Sequence, residues 1–302
     1  MNIARKIAAL GQNSQVVRAL RPVRKWAQAA YGDTGLVHLD GHTGVVGPAN
    51  EIPMRDEVFE KNQEQQNDMV CTVNGIPMRV LPNYGYGFPP EYDEPVARYF
   101  RQHLQPGDIC LNVGANHGIY ALQFAHWTGP NGRVFAYEAN PDTARVLQDH
   151  VSLNGLSDRV RVVPRAVSDR VGTAVFHAAG TDGMSRLGEP NPQLAGKTTA
   201  ITVELETLDA FCNRECIKPN AMMVDVEGFE IAVLTGAESL FANGRRFVAV
   251  IEIHPGDWGV AGGDRTAFEQ LLARLEVRPV PLSGQSDPLG EYGHISLEPT
   301  YR

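Results

Sequence analysis

Asp108-Ile109-Cys110-Leu111-Asn112-Val113-Gly114-Ala115-Asn116-His117-Gly118 is the stretch that decides the fold. Its apolar run, Ile109 to Val113, has the length and composition of a strand buried on both faces. The run ends in a loop of small residues, Gly114-Ala115-Asn116, and a helical pattern follows from Ile119 to Trp127. Gly114 has no Cβ, so the chain can turn tightly and a ligand can lie against the backbone. The helix after Gly118 aims its free N–H groups at that loop. The next strand, Arg133 to Tyr137, ends in Glu138. In nucleotide-binding α/β folds an acid about 20 residues further on accepts hydrogen bonds from a ribose. Loop, spacing and carboxylate agree on an adenosine-type ligand across the two strand tips. The plain alternative is an ordinary turn with a solvated Glu138.

A dinucleotide site wants Gly-x-Gly-x-x-Gly and a helix N-terminus facing a pyrophosphate. Here Ala115 stands at the middle glycine, and Asn116 and His117 fill the loop. That is a poor phosphate cradle and suits a ligand without phosphates, such as S-adenosylmethionine (SAM).

Four motifs occur in order: Asn112-Val-Gly-Ala-Asn-His-Gly118, Tyr137-Glu138-Ala139-Asn140-Pro141, Asp225-Val-Glu227-Gly228-Phe-Glu230, and Glu252-Ile-His254. Together they resemble the FkbM family of SAM-dependent methyltransferases, over about Glu94 to His254. The resemblance implies a class I methyltransferase fold. It implies cofactor contacts from Asn112, Gly114, Ala115, Asn116, Gly118, Glu138, Ala139 and Asp225, with Ala166, Val167 and Ser168 beside the adenine. The family usually carries Asp at the position of Asn112. Asn112 keeps the hydrogen bonding but loses a charge that would help hold the amino group of SAM. The acceptor that the resemblance implies is a hydroxyl of a sugar, glycolipid or secondary metabolite.

The 302 residues, 43% of them hydrophobic, suffice for one large α/β domain with an extension. A net charge of −8 argues against a general nucleic-acid binder. Cys71, Cys110, Cys212 and Cys216 read as reduced thiols with no second pair to build a metal site, and the chain reads as cytoplasmic. No apolar run approaches the roughly 18 to 20 residues that span a bilayer.

Residues 1–90 read as an N-terminal extension and 91–302 as the methyltransferase domain. Within the first 32 residues, Arg5, Lys6, Arg18, Arg21, Arg24 and Lys25 occur without an acid, while Ile3, Ile7 and Leu10 recur at helical spacing. Such a basic amphipathic segment, residues 1–30, can contact an anionic membrane peripherally. It can equally be a helix packed on its own domain. One short strand is expected at Leu36 to Leu39. Asn74-Gly75 between two apolar runs signals a β-hairpin with a type I′ turn. Tyr84-Gly-Tyr86-Gly-Phe88 reads either as a flap beside the site or as a surface turn.

From Tyr92 onward, helices and strands alternate, which argues for a doubly wound, mostly parallel sheet with helices on both faces. The expected elements are helix 92–104, strand 109–113, helix 119–127, strand 133–137, helix 143–153 and strand 160–164. After an insertion around 171–204 come strand 221–224, helix 231–241, strand 247–253, helix 267–275 and a terminal hairpin. In the insertion, Thr181, Asp182, Ser185 and Arg186 are candidate substrate contacts, because loops at the ligand edge of such sheets carry them.

Strand alternation places Asp225 and Glu227 on one side, and Glu252 and His254 likewise. In the class I fold these two strands are neighbours, so four polar groups converge. Methyl transfer to a hydroxyl needs alignment and a base. His254 has the intrinsic pKa for that base, with Asp225 or Glu252 to orient it or to take the proton. Asp225, Glu252 and His254 can instead hold Mg²⁺ or Ca²⁺. Glu227 and Glu230 read as caps of the following helix. A methyltransferase-like protein that binds a partner without chemistry is the second reading of the chain, and a nicotinamide-dependent enzyme the third.

Overall fold

The computed structural model describes residues 68–300 apart from 195, 243 and 244. The basic N-terminal segment and the strand expected at Leu36 to Leu39 lie outside the described residues. Met69–Val73 (β1) and Ile76–Val80 (β2) form the hairpin that Asn74-Gly75 signals. Both turn residues take positive φ, 49° and 83°, as a type I′ turn demands. Val73, Ile76, Met78 and Val80 bury themselves against Ile119 and Leu122. A 3-10 turn, Pro82–Gly87, follows.

The main sheet begins after the first helix, Glu94–His103 (α1). Ile109–Val113 (β3) leads into Ile119–Thr128 (α2), Arg133–Tyr137 (β4), Pro141–Leu153 (α3) and Val160–Val163 (β5). The chain then leaves the sheet. Ala166–Val167 (β6), Gly172–Ala178 (β7), Arg186–Leu187 (β8) and Thr199–Glu206 (β9) form a separate four-stranded sheet in the order β6-β9-β7-β8. Leu208–Glu215 (α4) returns the chain to Ala221–Val224 (β10), Glu230–Thr235 (α5), Glu238–Phe241 (α6) and Val248–Ile253 (β11). Arg265–Arg274 (α7), Val277–Pro281 (β12) and Gly293–Pro299 (β13) complete it.

The seven strands lie in the order β12-β13-β11-β10-β3-β4-β5. Neighbouring pairs from β11 to β5 are parallel, and β13 runs antiparallel to both β11 and β12. Strand alternation splits the core in two. Leu111 and Val113 join Phe211, Leu234 and Phe268 on one face. Cys110 joins Phe100, Phe124 and Leu147 on the other. Helix α2 is apolar almost all round because α1, the hairpin and the sheet enclose it.

Two expectations change. The helix expected over 231–241 is two helices. They part at Gly236-Ala237, where a Cβ on Gly236 would sit 2.1 Å from the Ser168 carbonyl oxygen, so the backbone there belongs to a close crossing. Helix α4 was not expected; Thr207 caps it, accepting from Ala210 N–H at 3.1 Å.

Strand order reverses between β3 and β10, and the chain ends of these two strands are laced together: Asp225 N–H donates to Val113 O at 2.9 Å. Gly114 makes this possible. It has φ +75°, and a Cβ there would fall 1.7 Å from the Asp225 carbonyl oxygen. Gly114→Ala is therefore expected to destabilise the fold by about 3 kcal/mol through overpacking at a positive-φ site. The melting temperature should drop by roughly 6–12 °C. An unchanged melting curve would mean that the strand ends can part freely.

Candidate active site

The reversal between β3 and β10 opens a crevice beyond the carboxyl ends of the strands, where open α/β sheets bind ligands. A cavity of about 280 Å³ lies there, lined by Gly114, Asn116, Glu138, Ala139, Ala166, Val167, Asp225 and Glu227, with Met184 to Leu187 of the insertion opposite. A second cavity of about 310 Å³ adjoins it, lined by Tyr86 and the loop Gly114 to Tyr120. The two share Gly114, Asn116, Asp182, Gly183 and Asp225, so they form one berth crossed by Asn116 and Gly183.

Glu138 is the fixed point of the berth. One carboxylate oxygen accepts Asn116 N–H at 2.9 Å and the other accepts Asn140 N–H at 2.8 Å. Burial pushes its pKa up to about 7 against the pull of those two N–H groups. Asn140 caps α3 through Asp142 N–H and donates from its side chain to Gly180 O at 2.6 Å, tying the acid's neighbour to the insertion. Asn116 holds φ +47°, and its side-chain oxygen is buried without a partner. Asn116 thus brings an unsatisfied acceptor to the wall of the berth.

Not every residue expected beside the cofactor lines these two cavities. Asn112 is buried within β3 on the side of α2, set by strand alternation; its side-chain oxygen also lacks a partner, and the residue lines neither cavity. Ser168 turns its hydroxyl to Asp169 at 3.1 Å and lies outside the cavity wall, because its backbone is pinned against Gly236. Ala115 and Gly118 line the second cavity rather than the first. Of the insertion residues, Asp182, Ser185 and Arg186 line the first cavity and Thr181 the second. The aromatic turn lies against the site: the Tyr84 ring stands 4.8 Å from that of His117.

Since β10 and β11 are parallel neighbours, the acids and the histidine at their ends come together. One ligating atom from each of Asp225, Glu227 and His254 lies within 4.8 Å of the others. Glu252 is engaged elsewhere. Tyr292 donates its hydroxyl to it, and His294 Nε2 approaches at 3.4 Å. The third member of the cluster is thus Glu227, not Glu252. Burial works to raise Glu252, but His294 and Tyr292 outweigh it and hold the group low. Burial raises Asp225 well above the ordinary range, and the Glu252 charge adds to this.

Glu230 is the residue that sequence reasoning undervalued. It accepts Gly228 N–H at 2.9 Å, which is the capping role. It also takes His254 Nδ1 at 2.7 Å and the Trp258 indole N–H at 2.8 Å, while wholly buried. Glu230, rather than Asp225 or Glu252, therefore orients His254. Burial works to lower the His254 pKa, but Glu230, Asp225 and Glu227 raise it to about 10. The imidazole Nε2 is left facing Glu227 at 3.9 Å.

A third cavity, about 450 Å³, opens on the far side of this cluster and is lined by Met184, Asn191, Pro192, Gln193, Glu227, His254, Asp257 and Tyr292. Met184 and Glu227 are common to it and to the first cavity. Glu227, with φ +52°, stands at the seam.

The strand order, its one reversed strand and the crevice at the switch point define a class I methyltransferase fold. The chain belongs to the FkbM methyltransferase domain family, whose model matches residues 112–278. It is 26% identical over 154 residues to the 2-O-methyltransferase NoeI of Sinorhizobium fredii, covering 47% of this chain and 62% of that protein. It is 29% identical over 175 residues to the hexuronic acid methyltransferase AglP of Haloferax volcanii, covering 54% and 63%. The chain spans less than two thirds of the length of either relative. Among solved structures, an O-methyltransferase from Bacillus cereus with bound SAH aligns at 15% identity and TM-score 0.40, over 68% of this chain and 79% of that one. Among the described residues no helix is long and apolar enough to cross a membrane.

Proposed function

We propose that this protein transfers the methyl group of SAM to a sugar hydroxyl. The observation that carries the reading is the seam at Glu227, where a donor berth and a second cavity meet over a cluster able to move a proton. The berth fits the adenosine end of SAM. Glu138 presents buried carboxylate oxygens for a ribose, the Asn116 oxygen lacks a partner, and Val113, Val167, Phe176 and Phe229 give apolar walls. The name of one relative, a hexuronic acid methyltransferase, supports a sugar as acceptor, and that of the other, a 2-O-methyltransferase, supports transfer to oxygen.

When bound, SAM supplies the activated methyl carbon and a neutral thioether as leaving group. The protein must align the acceptor hydroxyl with that carbon and remove its proton. Glu227 is placed for the second task. Burial, against the pull of His254, brings its pKa up to about 7. His254 holds its own proton until about pH 10, so it acts as a cation clamped by Glu230 and not as the base. Supplying SAM and a panel of glycosides, and weighing the products for added methyl groups, tests the proposal. No methyl uptake by any hydroxylated sugar would overturn it.

A second reading has its own support. The cluster of Asp225, Glu227 and His254 fits a divalent cation, because the His254 Nδ1 bond to a buried carboxylate is the usual way a metal-binding histidine is oriented. Bound there, a cation would acidify the acceptor hydroxyl. If Glu227 works alone, turnover is expected to survive exhaustive chelation. Loss on chelation and recovery with Mg²⁺ would give the role to the ion.

SAM affinity is expected to depend on pH through Glu138. The ribose hydroxyls donate best to a carboxylate, and Glu138 ionises at about pH 7. Calorimetry should show binding tightening as pH rises through that value. Ligand-free stability should move the other way. Native Glu138 keeps its proton up to about 7, whereas the unfolded group loses it near its ordinary value of 4.5. The native state therefore binds more protons across that window, and stability falls as pH rises through it.

A further inference from the structure

We infer that the cavity beyond Glu227 is built for an uncharged sugar and turns hexuronates away. The inference rests on the sugar methyl transfer proposed above and narrows its substrate. Tyr292 carries the first half of the argument. The residue is 61% exposed, with aromatic surface left open on the cavity wall. The ring is nevertheless fixed at two points. Its hydroxyl donates to Glu252 in the interior, and its ring packs on His254 at 5.3 Å and 62°. A pre-positioned aromatic face with polar neighbours suits the C–H face of a sugar ring, because stacking there costs little ordering. Pro192 and Met184 extend the apolar surface, and Asn191 and Gln193 supply amide groups.

The charges carry the second half. Glu227 and Asp257 line the cavity, and no lysine or arginine among the described residues does. Arg186 lies behind, its side chain only 2% exposed, bonded to Asp257 Oδ1 at 2.5 Å and to Glu189 O at 3.1 Å. His254 has spent its charge on Glu230. Arg186 is matched by Asp257 and His254 by Glu230, which leaves Glu227, 3.9 Å from His254 Nε2, as the wall carboxylate without an arginine or lysine partner among the described residues. An acceptor carboxylate would thus lose its water, find no unpaired cation and stand beside the like charge of Glu227. An uncharged ring meets none of these costs.

The test uses the full chain with SAM and three matched acceptors: a methyl hexoside, its hexuronide and the corresponding uronamide. The uronamide keeps the shape of the hexuronide without its charge. The uronamide is expected to exceed the hexuronide in kcat/KM by about 100-fold, the scale of like-charge exclusion in a partly desolvated site. A hexuronide methylated as well as its amide, or better, would overturn the inference and leave sugar methylation standing. So would a hexoside accepted while both C6 derivatives fail, since bulk and not charge would then decide. Failure of all such acceptors, with SAM binding intact by calorimetry, would overturn the sugar reading itself and this inference with it. Asp257→Asn removes one facing charge and frees Arg186; it should narrow the preference by about tenfold. An unchanged preference in a variant that melts like the parent would overturn the charge argument.

Discussion

Replacing Glu227 by glutamine is expected to lower kcat by about 10²- to 10⁴-fold, the usual contribution of a positioned general base. The change keeps the side-chain volume and the positive-φ backbone of this residue. It leaves Glu138 and the Asn116 loop alone, so the Kd for SAM should stay within about threefold. Glu227 is the right place to look because it borders both the donor berth and the cavity beyond it. Single-turnover kinetics together with calorimetry make the measurement. Equal loss of binding and turnover would make Glu227 a cofactor ligand. Unchanged turnover would remove it from the chemistry.

Removing the carboxylate of Glu138 should have the largest effect on binding. Glu138→Ala is expected to raise the Kd for SAM by about 100-fold or more, because hydrogen bonds to a charged group are worth about 1.5–3 kcal/mol each. The variant also leaves Asn116 N–H and Asn140 N–H without their acceptor. The loop and the start of α3 would then lose their common anchor. Glu138→Gln keeps one acceptor oxygen and should fall between the two. A Kd changed less than about threefold in the alanine variant would show that the ribose is held elsewhere, or that no nucleoside sits here.

Much of this was legible in the chain because it is local. The strand at Ile109 to Val113, the bend at Gly114 and the acid at Glu138 follow from composition and spacing within some thirty residues. The Asn74-Gly75 turn is equally local, and its two positive φ values follow from its residue types. What was not legible depends on partners distant in sequence. At the break, Gly236 lies so close to the backbone of Ser168 that a Cβ would not fit. The same crossing withdraws Ser168 from the cavity wall. Asn112 reads as a cofactor contact in the motif, yet strand alternation buries it on the side of α2. Glu230 looks like a helix cap, and it is one. Only folding brings His254 and Trp258 to its second role. The hint was present: an acid opening an otherwise apolar helix has to find a partner when it is buried. His254 reads as a base from its intrinsic pKa, but three carboxylates surround it once β10 and β11 pair.

The two halves of the crevice come from different layers of the molecule. The donor half is made largely of strand ends in the central sheet. The wall facing it, and part of the cavity beyond Glu227, belong to the small sheet between β5 and α4 and to the loop before β13. The cofactor end is therefore fixed by the scaffold, whereas acceptor choice rests on peripheral segments. Descendants of one ancestor could retune those segments and change clientele while the methyl supply stayed constant, and an engineer could do the same by grafting.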